Sequence, residues 1–260
     1  MEAHTYTKLC FSRRPMKAFT ADNLCTLPNT SHSFGVAGVT NNPPDLFYSA
    51  QQHGTHVIQV GINEAAGTIA SDAIFTRTSR PIAVITADCL PILVGSSNDT
   101  FVAAIHGGWK GLMAGIIENS FNSFRESGIS LKHLHVAIGP AIQPCCYEVS
   151  HSLIEKIEST HGHLWQKQTA PWSVYRHAAP ENKHCAPATT SHDKRWLNLP
   201  HYCLYLLKAA GLDKRQIQTI NTCTYCSPDT LGSYRRRTHF CETKTFQYSW
   251  IRINSTAPTA

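Results

Sequence analysis

Two apolar, β-branched runs, residues 81–86 (PIAVIT) and 101–105 (FVAAI), dominate the hydrophobic pattern of the chain. A continuous apolar run bounded by turn residues reads as a strand buried on both faces. Each run ends in a small polar group, Ala87-Asp88-Cys89 after the first and His106-Gly107-Gly108 after the second. Directly beyond, Trp109, Leu112, Met113, Ile116, Ile117, Phe121 and Phe124 recur at helical spacing. That stripe predicts one amphipathic helix packed back on the sheet, with Gly128 as its stop. A thiol and an imidazole are thereby expected at adjacent strand ends, beside a helix N-terminus.

Shorter strands are predicted over 33–36, 57–60, 72–75, 133–138, 217–222 and 246–253. A turn at 141–148 is expected to feed a helix carrying Val149, Leu153, Ile154 and Ile157. A second helix is expected over 199–210, with Leu199, Tyr202, Cys203, Leu206 and Leu207 on one face and Gly211 after it. Residues 1–30 carry no clear pattern, and 31–48 read as a Gly-, Asn- and Pro-rich loop. The polar stretch 162–194 reads as a long surface excursion able to act as a lid. Strands and helices alternate irregularly, which favours an α/β (α+β) layered sandwich of mixed sheets flanked by helices. No linker interrupts it, so residues 1–260 are expected to form a single domain.

Composition narrows the function. Hydrophobic residues at 42% and charged residues at 15% suit a soluble globular chain with modest surface charge. The net charge of +6 has only one dense basic run, Arg235-Arg236-Arg237. A phosphate-bearing small ligand accounts for it as well as nucleic acid does, so no nucleic-acid partner is expected. The chain shows neither a secretory signal pattern nor an apolar run long enough to span a bilayer. No membrane partner is therefore expected, the cytoplasm is the expected compartment, and a monomer is the default. Ten cysteines in a chain of this kind are expected to stay reduced, most of them packed as small hydrophobes. Of the fifteen histidines, His151, His161, His163, His177, His184 and His192 fall in polar segments and are expected at the surface.

The chemistry-bearing candidates are His53, Cys89 and His106. Two imidazoles and a thiolate can hold zinc and leave a fourth tetrahedral position open to water or substrate. Without a metal, the same trio could be a cysteine nucleophile with a histidine base. The plain alternative is a packed thiol with two turn histidines. His53 precedes Gly54, which permits a tight turn that aims the imidazole independently of the next strand. Arg235 and Arg236 offer guanidinium forks suited to phosphate. Lys110 follows Gly107-Gly108 at a helix start, where an anion is welcome, while Arg237 reads as solvated. Cys223-x-x-Cys226 has no second CxxC, although Cys145-Cys146 could lend ligands; it is read as two ordinary thiols in a turn.

Four ordered blocks, ADCLPILV, AAIHGGWKGLMAGI, AIGPAIQPCCYEV and CTYCSPDTLGSYRRR, closely resemble those of the YfiH-type laccase-domain family, known both as polyphenol oxidases and as purine nucleoside phosphorylases. The resemblance runs from about Gln51 to the C-terminus. It implies a zinc-binding active site made by His53, Cys89 and His106. It further implies phosphorolysis of adenosine, inosine and methylthioadenosine, together with adenosine deamination, on purine nucleosides and phosphate. Asp88, Lys110, Arg235 and Arg236 are the accompanying substrate or phosphate candidates. The implied fold is three-layered and shared with a toxin deamidase that uses cysteine and histidine. Zinc is expected rather than copper, since the chain has only His133-x-His135 and His161-x-His163 as HxH pairs. The block usually written HAGWRG has Lys110 in the arginine position. The family's glycine-rich N-terminal block is not recognisable in 31–48, and Lys244-Thr245-Phe246 replaces its TGR.

Overall fold

Every residue of Leu90–Ser96 is buried, and so is every residue of Val102–Gly107, its antiparallel partner. In the computed structural model these two strands form the middle of a six-stranded sheet. The structure describes residues 18–38, 42–98, 100–178, 185–187 and 193–254. In chain order the elements are α1 (Asp22–Cys25), β1 (Thr30–Phe34), β2 (Phe47–Tyr48), β3 (Val57–Gln59), β4 (Ala73–Thr76), β5 (Ile82–Thr86), β6 (Leu90–Ser96) and β7 (Val102–Gly107). Then come α2 (Trp109–Ala114), α3 (Ile116–Glu126), β8 (Leu134–Ile138), β9 (Glu148–Ser150), α4 (His151–His161) and β10 (Trp172–Ser173). The series ends with β11 (Lys194–Leu197), α5 (Leu199–Ala209), β12 (Ile217–Thr219), α6 (Tyr234–Phe240) and β13 (Gln247–Ile253).

The central sheet runs β12-β8-β6-β7-β4-β3 and mixes parallel edges with an antiparallel middle. Its two faces bury different cores, because side chains alternate along each strand. Leu90, Ile92, Val94, Ala103 and Ile105 pack with Phe121 and Phe124 of α3 and with Tyr202 and Leu206 of α5. Leu93, Val102, Ala104 and Ile74 pack with Phe34, Phe47, Ile82, Val84 and Ile251 of a second, four-stranded sheet ordered β1-β13-β5-β2. The layers are thus sheet, sheet and helix, the three-layered arrangement that the family resemblance implies. A small sheet, β10-β11-β9, flanks them.

Several local expectations are corrected. Residues 90–96, which the pattern leaves unassigned, are the central strand β6; the sequence 87–89 is the corner by which the chain leaves β5 of one sheet and enters β6 of the other. Asp88 takes a positive φ of 88° to make it. The expected single helix after His106 is two helices, broken where Gly115 adopts φ 101°. The apolar stripe survives the break, with Leu112, Ile116, Ile117, Phe121 and Phe124 all buried. Val149 lies in β9 rather than in the following helix. Residues 18–30 are not featureless: Ala21, Leu24 and Leu27 enter the inter-sheet core. The excursion is anchored by buried Trp165 and Ala186, although 179–184 and 188–192, with His184 and His192, lie outside the described residues. Among the described residues, no helix is long and apolar enough to cross a membrane.

One buried group makes the fold pH-sensitive. His32 of β1 is 8% exposed, and its Nε2 accepts a hydrogen bond from the Ala21 amide at 2.8 Å. Burial lowers its pKa to about 4, so the folded protein holds it neutral. The unfolded chain binds the extra proton below about pH 6.5, and stability falls as pH drops from there towards 4 by up to about 3 kcal/mol. Urea midpoints of the wild type and His32→Gln, compared across this window, should diverge from a constant offset as the acid side is approached. A constant offset throughout would refute this account.

Candidate active site

The corner residue Cys89, the end of β7 and the loop before β3 meet at one point. The ligand atoms of His53, Cys89 and His106 all lie within 4.8 Å of one another. Cys89 Sγ and His53 Nε2 are 3.7 Å apart, and the two imidazole centroids 4.7 Å, edge to face. Sulfur and nitrogen sharing a tetrahedral zinc sit about 3.5 Å apart, given the usual bond lengths. The donor set and its spacing therefore fit zinc with only small movement. His106 is buried, Cys89 partly exposed and His53 exposed, so the trio closes inwards and opens outwards.

What orients the trio is Asp72, which the sequence reading left inside a strand with no role. The residue is 1% exposed and precedes β4. Its carboxylate accepts from the amides of Gln52 at 3.2 Å, His53 at 2.9 Å and Gly54 at 2.7 Å. The same carboxylate accepts from His106 Nδ1 at 2.8 Å, which leaves Nε2 to face the trio. One side chain thus fixes both histidines. Burial works against ionisation of Asp72, but the His106 hydrogen bond and the loop amides outweigh it and lower its pKa. His53 has a positive φ of 59°, a strained value for a side-chain-bearing residue, and those amide bonds hold it there. The positive φ thus falls on His53 itself rather than on Gly54. Gln51 adds a further tie: it accepts from the Ile85 amide at 2.7 Å and donates to the Ile85 carbonyl at 2.8 Å, docking the loop on β5.

The electrostatics favour a thiolate. Burial alone raises the Cys89 pKa, but hydrogen bonds from His106 and His53 reverse this and bring it down to about 7. Burial likewise disfavours protonated His106, while Asp72 and Cys89 stabilise it and raise its pKa to about 9. A thiolate near neutrality is the form that binds metal or attacks an electrophile.

The trio opens on a cavity of about 830 Å³, walled by Trp109, Tyr147 and Phe246 and edged by Lys110, Arg235, Arg237 and Lys244. Arg235 is held from two sides: its guanidinium lies 5.5 Å over the Tyr147 ring and donates to the Glu148 carbonyl at 2.8 Å. Arg237, read as solvated from the sequence, reaches the cavity edge and sits over Tyr234. Lys244, Thr245 and Phe246, the residues in place of the family's TGR, all line it too.

Two expected ligand-binding residues have other work. Arg236 is 4% exposed, and its guanidinium donates to the carbonyls of Thr224, Tyr225 and Leu231 and to Glu242. With its donors spent on three carbonyls and on Glu242, it is a clamp behind the wall and outside the cavity lining. Asp88 does line the cavity, but its buried carboxylate accepts from Thr224 Oγ1 at 2.5 Å, Ser233 Oγ at 3.0 Å and the Arg235 amide at 2.7 Å. It anchors the start of α6, a short helix that the sequence reading did not assign. Burial raises its pKa. The helix following Gly108 is only six residues long, so it has little dipole to offer an anion. Among the described residues no HxH histidine joins a cluster of potential metal ligands; His161 instead bonds the Tyr202 hydroxyl at 2.7 Å.

The family described as multi-copper polyphenol oxidoreductase laccase matches residues 28–246. The chain belongs to this family. Its laccase-like relatives include YfiH of Escherichia coli K12, named a purine nucleoside phosphorylase, which is 29% identical over 75% of this chain and 70% of that protein. A protein of Rickettsia conorii with the same functional name is 29% identical over 76% of this chain and 73% of its own length. The crystal structure of YlmD from Geobacillus stearothermophilus superposes with a TM-score of 0.67 over 81% of this chain and 74% of that one, at 23% identity, and shows the shared fold. The resemblance carried by the four sequence blocks is thus upheld for the laccase-like family, and with it the layered fold.

Proposed function

We propose that this laccase-like chain is a zinc-dependent purine nucleoside enzyme. It would cleave adenosine, inosine and methylthioadenosine with phosphate, giving free base and sugar 1-phosphate, and would also deaminate adenosine. The observation that carries this reading is the convergence of His53, Cys89 and His106 at the mouth of a cavity with aromatic walls and a cationic edge. The names of the relatives support the substrate class.

His53 Nε2, Cys89 Sγ and His106 would hold the ion, which supplies Lewis acidity to the reacting oxygen or base. The chain's own residues do the rest. Asp72 keeps the His106 proton on Nδ1, so that Nε2 remains a ligand. Trp109, Tyr147 and Phe246 offer flat surface to a purine. Arg235, braced on Tyr147 and Glu148, is placed to take phosphate, with Lys110, over the Trp109 ring, as a second point charge. Phosphate attack at the anomeric carbon breaks the bond to the base; without phosphate, water replacing the purine amino group gives ammonia.

Zinc-loaded protein incubated with adenosine decides the matter. Adenine and ribose 1-phosphate should appear only with phosphate present, and inosine without it. Chelation should stop both, which separates this reading from a metal-free cysteine hydrolase. A zinc-loaded protein that leaves adenosine intact both with and without phosphate would remove the proposal, and copper-dependent oxidation of phenols would replace it.

A further inference from the structure

The cysteines set aside in the sequence form a second cluster on the far side of the cavity wall. Cys145 and Cys146 come from the turn before β9, and Cys223 and Cys226 from the turn after β12. The four Sγ atoms all lie within 4.8 Å of one another, and all four residues are at most 3% exposed. Cys226 Sγ is 3.8 Å from Cys145 Sγ and 3.3 Å from Cys146 Sγ. Those separations are too long for a disulfide, whose sulfurs are about 2.05 Å apart. They match the roughly 3.8 Å edge of a zinc tetrathiolate with bonds of about 2.3 Å. Four thiols are also poor mutual partners, since each is a weak donor and a weak acceptor.

We propose that Cys145, Cys146, Cys223 and Cys226 form a second metal centre, a closed tetrathiolate site for zinc that staples together the two turns behind the cavity. Binding turns four thiols into thiolates and releases four protons, leaving the centre with a net charge of −2. The surroundings suit that charge. The Ala186 amide lies 3.3 Å from Cys146 Sγ, and the Arg176 guanidinium donates to the Cys145 carbonyl at 2.7 Å. Cys185, 3.3 Å from Cys226, does not share the mutual closeness of the four and stands at the rim.

The site's place in the fold gives it a purpose. The two turns already meet through an isolated bridge, Ala141 to Cys223. Between the paired cysteines sits Thr224, whose hydroxyl bonds Asp88, and directly after Cys146 comes Tyr147, a wall of the cavity. An ion here fixes those two side chains without touching substrate. It is independent of the trio, and its presence is read without any assay of turnover.

Metal analysis of protein purified with zinc, then dialysed against a weak chelator, tests it. Wild type should retain two zinc ions per chain, His53→Ala/Cys89→Ala one, and Cys223→Ser/Cys226→Ser one fewer than wild type. If the last variant fails to fold, cobalt(II) substitution of His53→Ala/Cys89→Ala still decides: intense sulfur-to-cobalt charge-transfer absorption is expected. An empty site in that variant, a disulfide between any two of the four, or iron in place of zinc would overturn the proposal.

Discussion

Gly108→Ala is expected to abolish turnover and zinc loading at the trio while every ligand stays in the chain. A Cβ at this position would lie 2.9 Å from His53 Cδ2, 3.2 Å from Cys89 Sγ and 3.8 Å from His106 Cε1. One methyl therefore crowds two of the three ligands, His53 and Cys89, while His106 stays at ordinary contact distance. Backbone strain plays no part, because Gly108 has φ −75° and ψ 154°, values open to alanine. A misplacement of about 1 Å costs about a hundredfold in such sites, and crowding two ligands of one ion together is expected to reach that scale. We expect kcat/KM to fall at least that far, close to the floor set by Cys89→Ala, with the thermal midpoint within about 4 °C of wild type. Steady-state kinetics, zinc content and a melting curve on the same preparation check it. Wild-type zinc and turnover in Gly108→Ala would show that the trio does not close around an ion.

The fold was legible where burial imposes an unbroken apolar run. The pattern over 81–86 and 101–105 led to β5 and β7, and so to Cys89 and His106 at their ends. Strand β6 escaped because Pro91 interrupts its run, and proline usually argues against an interior strand. Here Pro91 donates nothing to the ladder, yet its carbonyl still accepts from the Gly139 amide at 2.8 Å and the strand holds its place. Helix α6 escaped because Tyr234–Phe240 buries only Arg236 among its residues, so it has no apolar period to read.

Among the site residues, what sequence shows is the ligand types, and what it hides is their support. The CxxC motif reads as two ordinary thiols because the chain has no second CxxC; the partners the fold supplies, Cys145 and Cys146, are about eighty residues away and vicinal to one another. Arg235 and Arg236 look equivalent in a row of arginines, yet one edges the cavity and the other is spent on carbonyls. A helix turns neighbours about 100° apart, so adjacent residues on α6 necessarily face different surroundings. The signal that could have found Asp72 is chemical: an acid opening the apolar strand AIFT must have a buried donor to satisfy.

Asp72→Asn tests that support directly. The amide has one oxygen where the carboxylate had two, and each carboxylate oxygen serves two donors. Oδ2 accepts from Gln52 and Gly54; Oδ1 accepts from His53 and His106 Nδ1. Whichever way the amide turns, its NH2 faces two other donors. If it takes the place of Oδ2 it meets the Gln52 and Gly54 amides, and the turn that holds His53 at its positive φ loses two of its three bonds. If it meets His106, the ring proton moves to Nε2 and that nitrogen ceases to be a ligand. Both outcomes weaken the metal site, and support of this kind is worth about 10- to 100-fold in affinity or activity. The unmet buried donors should cost about 1–3 kcal/mol besides. A positioning role makes a further demand that mere destabilisation does not: raising free zinc should restore part of the lost turnover without restoring the melting temperature. Asp72→Asn with unchanged zinc affinity and unchanged kcat/KM would show that His53 and His106 are held by something other than this carboxylate.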